Sequence, residues 1–245
     1  MSMLFITAGR LARRYLPEPA RTGLQQAAQA ARRGLPGSRV QWGNINTRAP
    51  FSEFWGWDRG LPVDRYYIER FIAANRGRLK GSALEVQSAQ YTGEIDAVEH
   101  TTVLDIDESN TRATLIADLN EPESLPAATF DCVVLTQTLQ YTDPVAALRN
   151  VGRSLKPGGR AVVTVPCLSR VDPEAPSVDL WRWTPAGLRR TIELAGLRGT
   201  VAGHGNSLAA AAFMLGLSAE DVGRHRLALD DEAYPVIAGA VIEPA

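Results

Sequence analysis

Ser82-Ala83-Leu84-Glu85-Val86-Gln87, Val103-Leu104-Asp105-Ile106-Asp107, Thr114-Leu115-Ile116-Ala117-Asp118-Leu119, Phe130-Asp131-Cys132-Val133-Val134-Leu135-Thr136 and Arg160-Ala161-Val162-Val163-Thr164-Val165-Pro166 decide the fold. Each is a short apolar run closed by a polar or turn segment, the signature of a buried strand in a mostly parallel sheet. Acids stand at the ends of the first three runs. Ligands on an open α/β sheet bind outside the carboxyl ends of its strands, so these acids predict a ligand rich in hydroxyls and amines. The turn Leu155-Lys156-Pro157-Gly158-Gly159 precedes the fifth strand.

Outward from that core, helices follow from caps and spacing. Asp143 and Pro144 open one helix over 143–155, and Thr184-Pro185 opens another that runs to about Ala195 before Gly196. Residues 63–72 have helical spacing, with Val63, Tyr67 and Phe71 on one face. Two apolar runs, 200–204 and 235–242, predict a sixth and a seventh strand, with the Ala-rich 207–217 stretch as the helix between them. The expected fold is α/β, a Rossmann-like seven-stranded, mostly parallel sheet with helices on both faces. An N-terminal helical and aromatic extension precedes it. The expected division is 1–62 for the helical segment and aromatic lid and 63–245 for the main domain.

The extension has its own character. Arg10, Arg13, Arg14, Arg21, Arg32, Arg33 and Arg39 face only Glu18 in the first forty residues, which suits a solvated helix or a contact with an anionic surface or partner. Trp42, Phe51, Phe54, Trp55 and Trp57 crowd among Gly and Pro, too many large rings to leave in water. They would serve equally as a substrate lid or as a homodimer contact. The formal net charge of −1 over 245 residues gives no global basic field, so no nucleic-acid partner is expected. No stretch has the length and apolarity of a membrane span. Cys132 and Cys167 fall in or beside strands and imply no disulfide framework, which predicts a reducing, cytoplasmic setting.

Glu85 followed by Asp105 has the spacing of nucleotide-binding sheets, where the second acid holds ribose hydroxyls. Asp118 and Leu119 would bracket an adenine ring. Taken one at a time, these acids could be solvated strand caps.

These residues, and the Leu-Lys-Pro-Gly-Gly turn above all, resemble the Rossmann-like, class I S-adenosylmethionine-dependent methyltransferases, from about Leu84 to the C-terminus. Pro50-Phe51-Ser52-Glu53-Phe54-Trp55-Gly56 and the 62–69 segment further resemble bacterial members found beside glycan and polysaccharide biosynthesis, among them the enzymes that O-methylate mannose in methylmannose polysaccharides. The resemblance implies S-adenosylmethionine held by Glu85, Gln87, Tyr91, Asp105, Ile106, Asp118, Leu119 and Thr136, with Arg65 and Tyr66 over its carboxylate. It implies transfer of a methyl group to a hydroxyl of a small-molecule or oligosaccharide acceptor.

Two departures stand out. The Gly-rich turn after the first strand is replaced by Gln87-Ser88-Ala89-Gln90-Tyr91-Thr92, with no Gly before Gly93. Where many relatives carry Glu-His after the fourth strand, this chain has Gln140-Tyr141. These departures motivate an alternative function, a non-catalytic cofactor-binding module that partners a glycosyltransferase.

Methylation of a sugar hydroxyl calls for a proton acceptor. The candidates are Tyr141, His204 and Asp179, with Asp143 read first as a helix cap. A bound Mg²⁺ on Asp143 or Asp179 would be a substitute that acidifies the hydroxyl. Trp181, Arg182 and Trp183, with Trp57 of the aromatic segment, are the candidate sugar-binding residues. Trp181 and Trp183 could equally fill the core.

Overall fold

The computed structural model describes residues 43–244, together with Gly23 and Ala27. The chain divides into two units, Met1–Arg48 and Ala49–Ala245. Of the first, the described part holds one 3-10 turn, Gly43–Ile45. The basic segment and Trp42 lie outside the described residues.

The second unit is built on a seven-stranded sheet of order β3-β2-β1-β4-β5-β7-β6. The strands are β1 Gly81–Val86, β2 Val98–Asp105, β3 Leu115–Ile116, β4 Phe130–Thr136, β5 Leu155–Pro166, β6 Leu197–His204 and β7 Ile237–Pro244. β7 runs antiparallel between β5 and β6, and the pairs among β1 to β5 are parallel. The order reverses between β1 and β4, the switch point at which an open sheet leaves a crevice.

β3 is shorter than the expected 114–119 strand. Ala117 N–H still bonds the Asp105 carbonyl, after which the chain turns: the Asp118 carboxylate accepts from Asn120 N–H, and the Asn120 side chain accepts from the distant Asp143 N–H. β5 is longer than expected. The Lys156–Gly159 turn is built into it, so that Phe130 pairs with Leu155 and Cys132 with Arg160. Lys156 Nζ meets Asp131 Oδ2 at 2.7 Å across this bulge.

Alternation along the central strands feeds two cores. Val133, Leu135, Val163 and Val165 pack under α2 (Pro144–Ser154) and α3 (Pro185–Leu194). Cys132, Val134 and Val162 pack under α1 (Val63–Asn75) and α4 (Ser207–Met214). Burying each such aliphatic side chain contributes about 1.5–3 kcal/mol before chain entropy is set against it. The helix starts follow the caps. Asp143 accepts from the Val145 and Ala146 N–H groups, Thr184 from Gly187 N–H, and Asn206 from Ala209 N–H. Two short helices, α5 Ala219–Val222 and α6 Arg224–Leu227, complete the connection to β7. No described helix is long and apolar enough to cross a membrane.

Candidate active site

A cleft of about 550 Å³ opens at the carboxyl ends of β1, β2, β4 and β5. At one end stand the strand-terminal acids. Asp105, at the tip of β2, accepts from Asp107 N–H on Oδ1 (3.0 Å) and from Asn110 Nδ2 on Oδ2 (2.6 Å). A carboxylate has about four acceptor sites, so two remain for vicinal hydroxyls. Ile106 beside it is 66 % exposed and lines the cleft, an apolar surface that water alone would not favour. Asp118 and Leu119 line the same end. Asn150 of α2 holds their loop by donating to the Leu119 and Glu121 carbonyls and accepting from Glu123 N–H.

Glu85 sits deeper, 4 % exposed. Its carboxylate accepts from Tyr91 N–H, from Thr92 N–H (2.8 Å) and from the Thr92 hydroxyl (2.6 Å). It therefore closes the 87–92 turn, and the cleft gains the turn's shape from it. A single 3-10 turn, Thr92–Glu94, stands where a longer helix would start. Gln87 adopts φ +69°, a left-handed conformation natural to glycine. The backbone path of a Gly turn is thus retained with a side chain on it, at a cost of roughly 1 kcal/mol. We expect Gln87→Gly to bind S-adenosylhomocysteine at least as tightly as the wild type, with no fall in melting temperature. Calorimetry and thermal melts check both.

The other end of the cleft carries a chain of polar contacts. The Tyr141 hydroxyl donates to Asp172 Oδ2 at 2.8 Å. Burial, and then the Asp172 bond, push the Tyr141 phenol far above its ordinary range, so it remains protonated. Asp172 N–H donates to Asp179 Oδ2 at 2.9 Å. Arg182 grips Asp179 with two bonds of 2.6 and 2.7 Å, and this contact holds the carboxyl below its usual range.

Several expectations are corrected by this geometry. Asp179 is spent on Arg182, its side chain 2 % exposed, so it is neither a free base nor an open metal ligand. Asp143 caps α2 and does not line the cleft. Among the described residues no group of three His, Cys, Asp or Glu side chains is placed to hold a metal ion. His204 ends β6 away from the cleft lining, against Phe71 at 5.3 Å and beside Asp230 at 3.4 Å. Tyr66 also falls outside it, packed edge-on against Tyr67. Trp183 is a core residue at 7 % exposure, and Trp181 lies outside the cleft with its indole N–H on the Thr142 carbonyl. Arg182 does line the cleft, as do Tyr91, Thr136, Trp57 and Arg65. Arg65 donates to the Tyr91 hydroxyl at 2.9 Å, and its guanidinium lies 6.0 Å from the Trp57 ring.

The aromatic segment over 49–62 is a fastened wall. Ser52 accepts from Phe54 and Gly56 N–H and donates to Asp58. Phe51 N–H bonds the Leu215 carbonyl, and Ala219 N–H the Leu61 carbonyl. Gly216, at φ +70°, admits the Ser52 backbone so closely that a Cβ there would collide with it. Arg59 makes two 2.8 Å bonds to Asp221, whose pKa falls to about 2 mainly through that contact. The folded pKa is depressed, so the pair stabilises above the unfolded value near 3.9 and is lost as pH falls towards 2. We expect the stability gap between wild type and Arg59→Ala, measured in urea, to narrow between pH 5 and pH 2.5.

Asp172, Arg170, Asn110 and Gln137 line or support the cleft and were not singled out from sequence. The acid in Arg170-Val171-Asp172-Pro173, just past the fifth strand, was the one legible signal.

Residues 81–163 match the family described as "Methyltransferase domain". No curated protein matches the chain. Among solved structures, the chain is similar to an S-adenosylmethionine-dependent methyltransferase from Mesorhizobium loti. The identity is 15 % and the TM-score 0.53, over 74 % of this chain and 99 % of that one. It is similar to the methyltransferase in the complex with the Haloferax volcanii Trm112 activator, at 18 % identity and TM-score 0.52, over 79 % and 98 %. It also resembles the [4+2]-cyclase SpnF, at 16 % identity and TM-score 0.51, over 80 % and 87 %. These likenesses are of fold.

Proposed function

We propose that this chain, a class I S-adenosylmethionine-dependent methyltransferase by domain and fold, methylates a hydroxyl of a sugar or glycan intermediate. The observation that carries the acceptor chemistry is the Tyr141–Asp172 hydrogen bond in the wall of the cleft that holds Asp105. The residues fit the cofactor. Asp105 is available to the ribose hydroxyls, Ile106 and Leu119 to the adenine, and the left-handed Gln87 turn and Arg65 to the amino-acid end. When bound, S-adenosylmethionine supplies an activated sulfonium methyl group, so the protein's task is chiefly positioning.

A sugar hydroxyl needs to lose its proton as it attacks. Tyr141 keeps its own proton on Asp172, which leaves the phenol oxygen free to accept another. The acceptor's proton passes to that oxygen while the phenol proton passes to Asp172, so that one carboxylate takes one proton overall. Trp57, 55 % exposed at the cleft, offers an apolar face to sugar C–H groups. Trp55 and the Arg170 loop wall off the same side.

Calorimetry with S-adenosylhomocysteine, and NAD as control, tests the cofactor. A methyl-transfer screen on SAH-competent protein, with mannosides beside amine and carboxylate acceptors, tests the acceptor. Methylated mannoside or another methylated sugar is the expected product. Exclusive N-methyl or carboxyl-methyl products would overturn the sugar reading and leave the methyltransferase reading standing.

A further inference from the structure

The cleft holds three arginines, and they are not equivalent. Arg182 is spent on Asp179. Arg65 stands beside Tyr91 at the turn that follows β1, where the cofactor's own carboxylate belongs under the proposed function. Arg170 remains. It follows β5 by four residues and lines the cleft in the stretch that also carries Asp172. Its guanidinium lies 4.9 Å from the centroid of the Trp55 ring, and its Nη1 donates to the Glu53 carbonyl. Trp55 is tied back by its indole N–H, which bonds the Ser169 hydroxyl at 3.3 Å. One donor of the guanidinium is thereby used, and the plane is fixed by the ring beneath it.

No carboxylate among the described residues forms an ion pair with Arg170, whereas Arg182 in the same half of the cleft is paired with Asp179. A partly buried cation on a rigid platform, with several donors unused, is matched by a group with two adjacent anionic oxygens. We propose that the acceptor carries an oxyanion, a phosphate or a carboxylate, and that Arg170 binds it against the Trp55 wall. Arg170 would then set specificity by favouring anionic acceptors over neutral sugars. The assignment of the anion to the acceptor rests on the proposed methyl transfer.

The test uses the full chain saturated with S-adenosylhomocysteine, titrated at constant ionic strength with glucose 6-phosphate, glucuronate, inorganic phosphate and glucose. Wild type, Arg170→Gln and Arg170→Lys are compared. At least one anionic probe should bind roughly ten-fold tighter than glucose, as a charge-assisted hydrogen bond implies. That preference should vanish in Arg170→Gln and survive in part in Arg170→Lys, with S-adenosylhomocysteine affinity unchanged in both. The phosphate and carboxylate arms separate the two sources of the oxyanion. Equal binding of neutral and anionic probes, or a preference that persists in Arg170→Gln, would overturn the inference. Failure of S-adenosylhomocysteine to bind the wild type would instead overturn the proposed function, and the anion titration on the free protein would still read Arg170. Loss of cofactor binding in the variants alone would assign Arg170 to the cofactor and also overturn the inference.

Discussion

Replacing Asp172 with Asn should lower kcat by about 10²- to 10⁴-fold, the range that a positioned general base supplies. S-adenosylhomocysteine should bind this variant as it binds the wild type, because Asp172 has no contact with Asp105, Asp118 or the Gln87 turn. The isostere retains an acceptor for the Tyr141 hydroxyl, so the loop should hold its shape while the proton loses its destination. Tyr141→Phe should fall in the same range, and the double variant should lose little beyond either single one, since residues that act as a unit are not additive. Single-turnover rates, set beside cofactor affinity from calorimetry, check the pair. Full turnover by Asp172→Asn would remove Asp172 from the chemistry.

Asp105→Ala should weaken S-adenosylhomocysteine binding by roughly 100-fold or more. Two hydrogen bonds to an ionised carboxylate contribute about 1.5–3 kcal/mol each, and every 1.4 kcal/mol is tenfold. The fold should persist, because Asp105 ends its strand at the cleft rim and its internal contacts are to Asp107 and Asn110, both in the loop that follows. Asp118→Ala should cost less, as its side chain accepts only from the N–H of Asn120 among the described residues. A far-ultraviolet spectrum together with calorimetry separates lost binding from lost fold. Tight binding by folded Asp105→Ala would remove the ribose assignment.

The strands of the sheet were legible because a strand buried on both faces must be apolar along its whole length. Phe130–Thr136 is read residue for residue. The starts of α2 and α3 were legible for a local reason, since Asp143 and Thr184 each serve amides two or three positions ahead. Strand lengths were not. β3 shrinks to Leu115–Ile116, past which Asp118 turns the chain by accepting from Asn120 N–H, and β5 lengthens because Leu155 finds a partner in Phe130. Pairing is a property of the neighbouring strand, and spacing along one strand does not report it.

The site divides in the same way. Asp105, Asp118 and Leu119 were legible because strand ends converge on one edge of any such sheet. His204 also ends a strand, β6, but that strand lies at the far edge of the sheet, and its ring packs on Phe71. The tandem Trp181 and Trp183 look alike in the sequence. One is largely buried with Leu188 and Ile192 and the other is exposed, and neither lines the cleft. Asp172 gained its place only when the loop after β5 folded back to meet Tyr141 across 31 residues of chain. Local rules of capping, alternation and strand-end chemistry thus determined, from the sequence by itself, the α/β sheet, its principal helices and the strand-end acids that line one end of the cleft. The other end of the cleft depends on which side chains distant loops bring together, and on which carboxylates are already spent on arginines. Those are long-range contacts, and only the tertiary structure decided them.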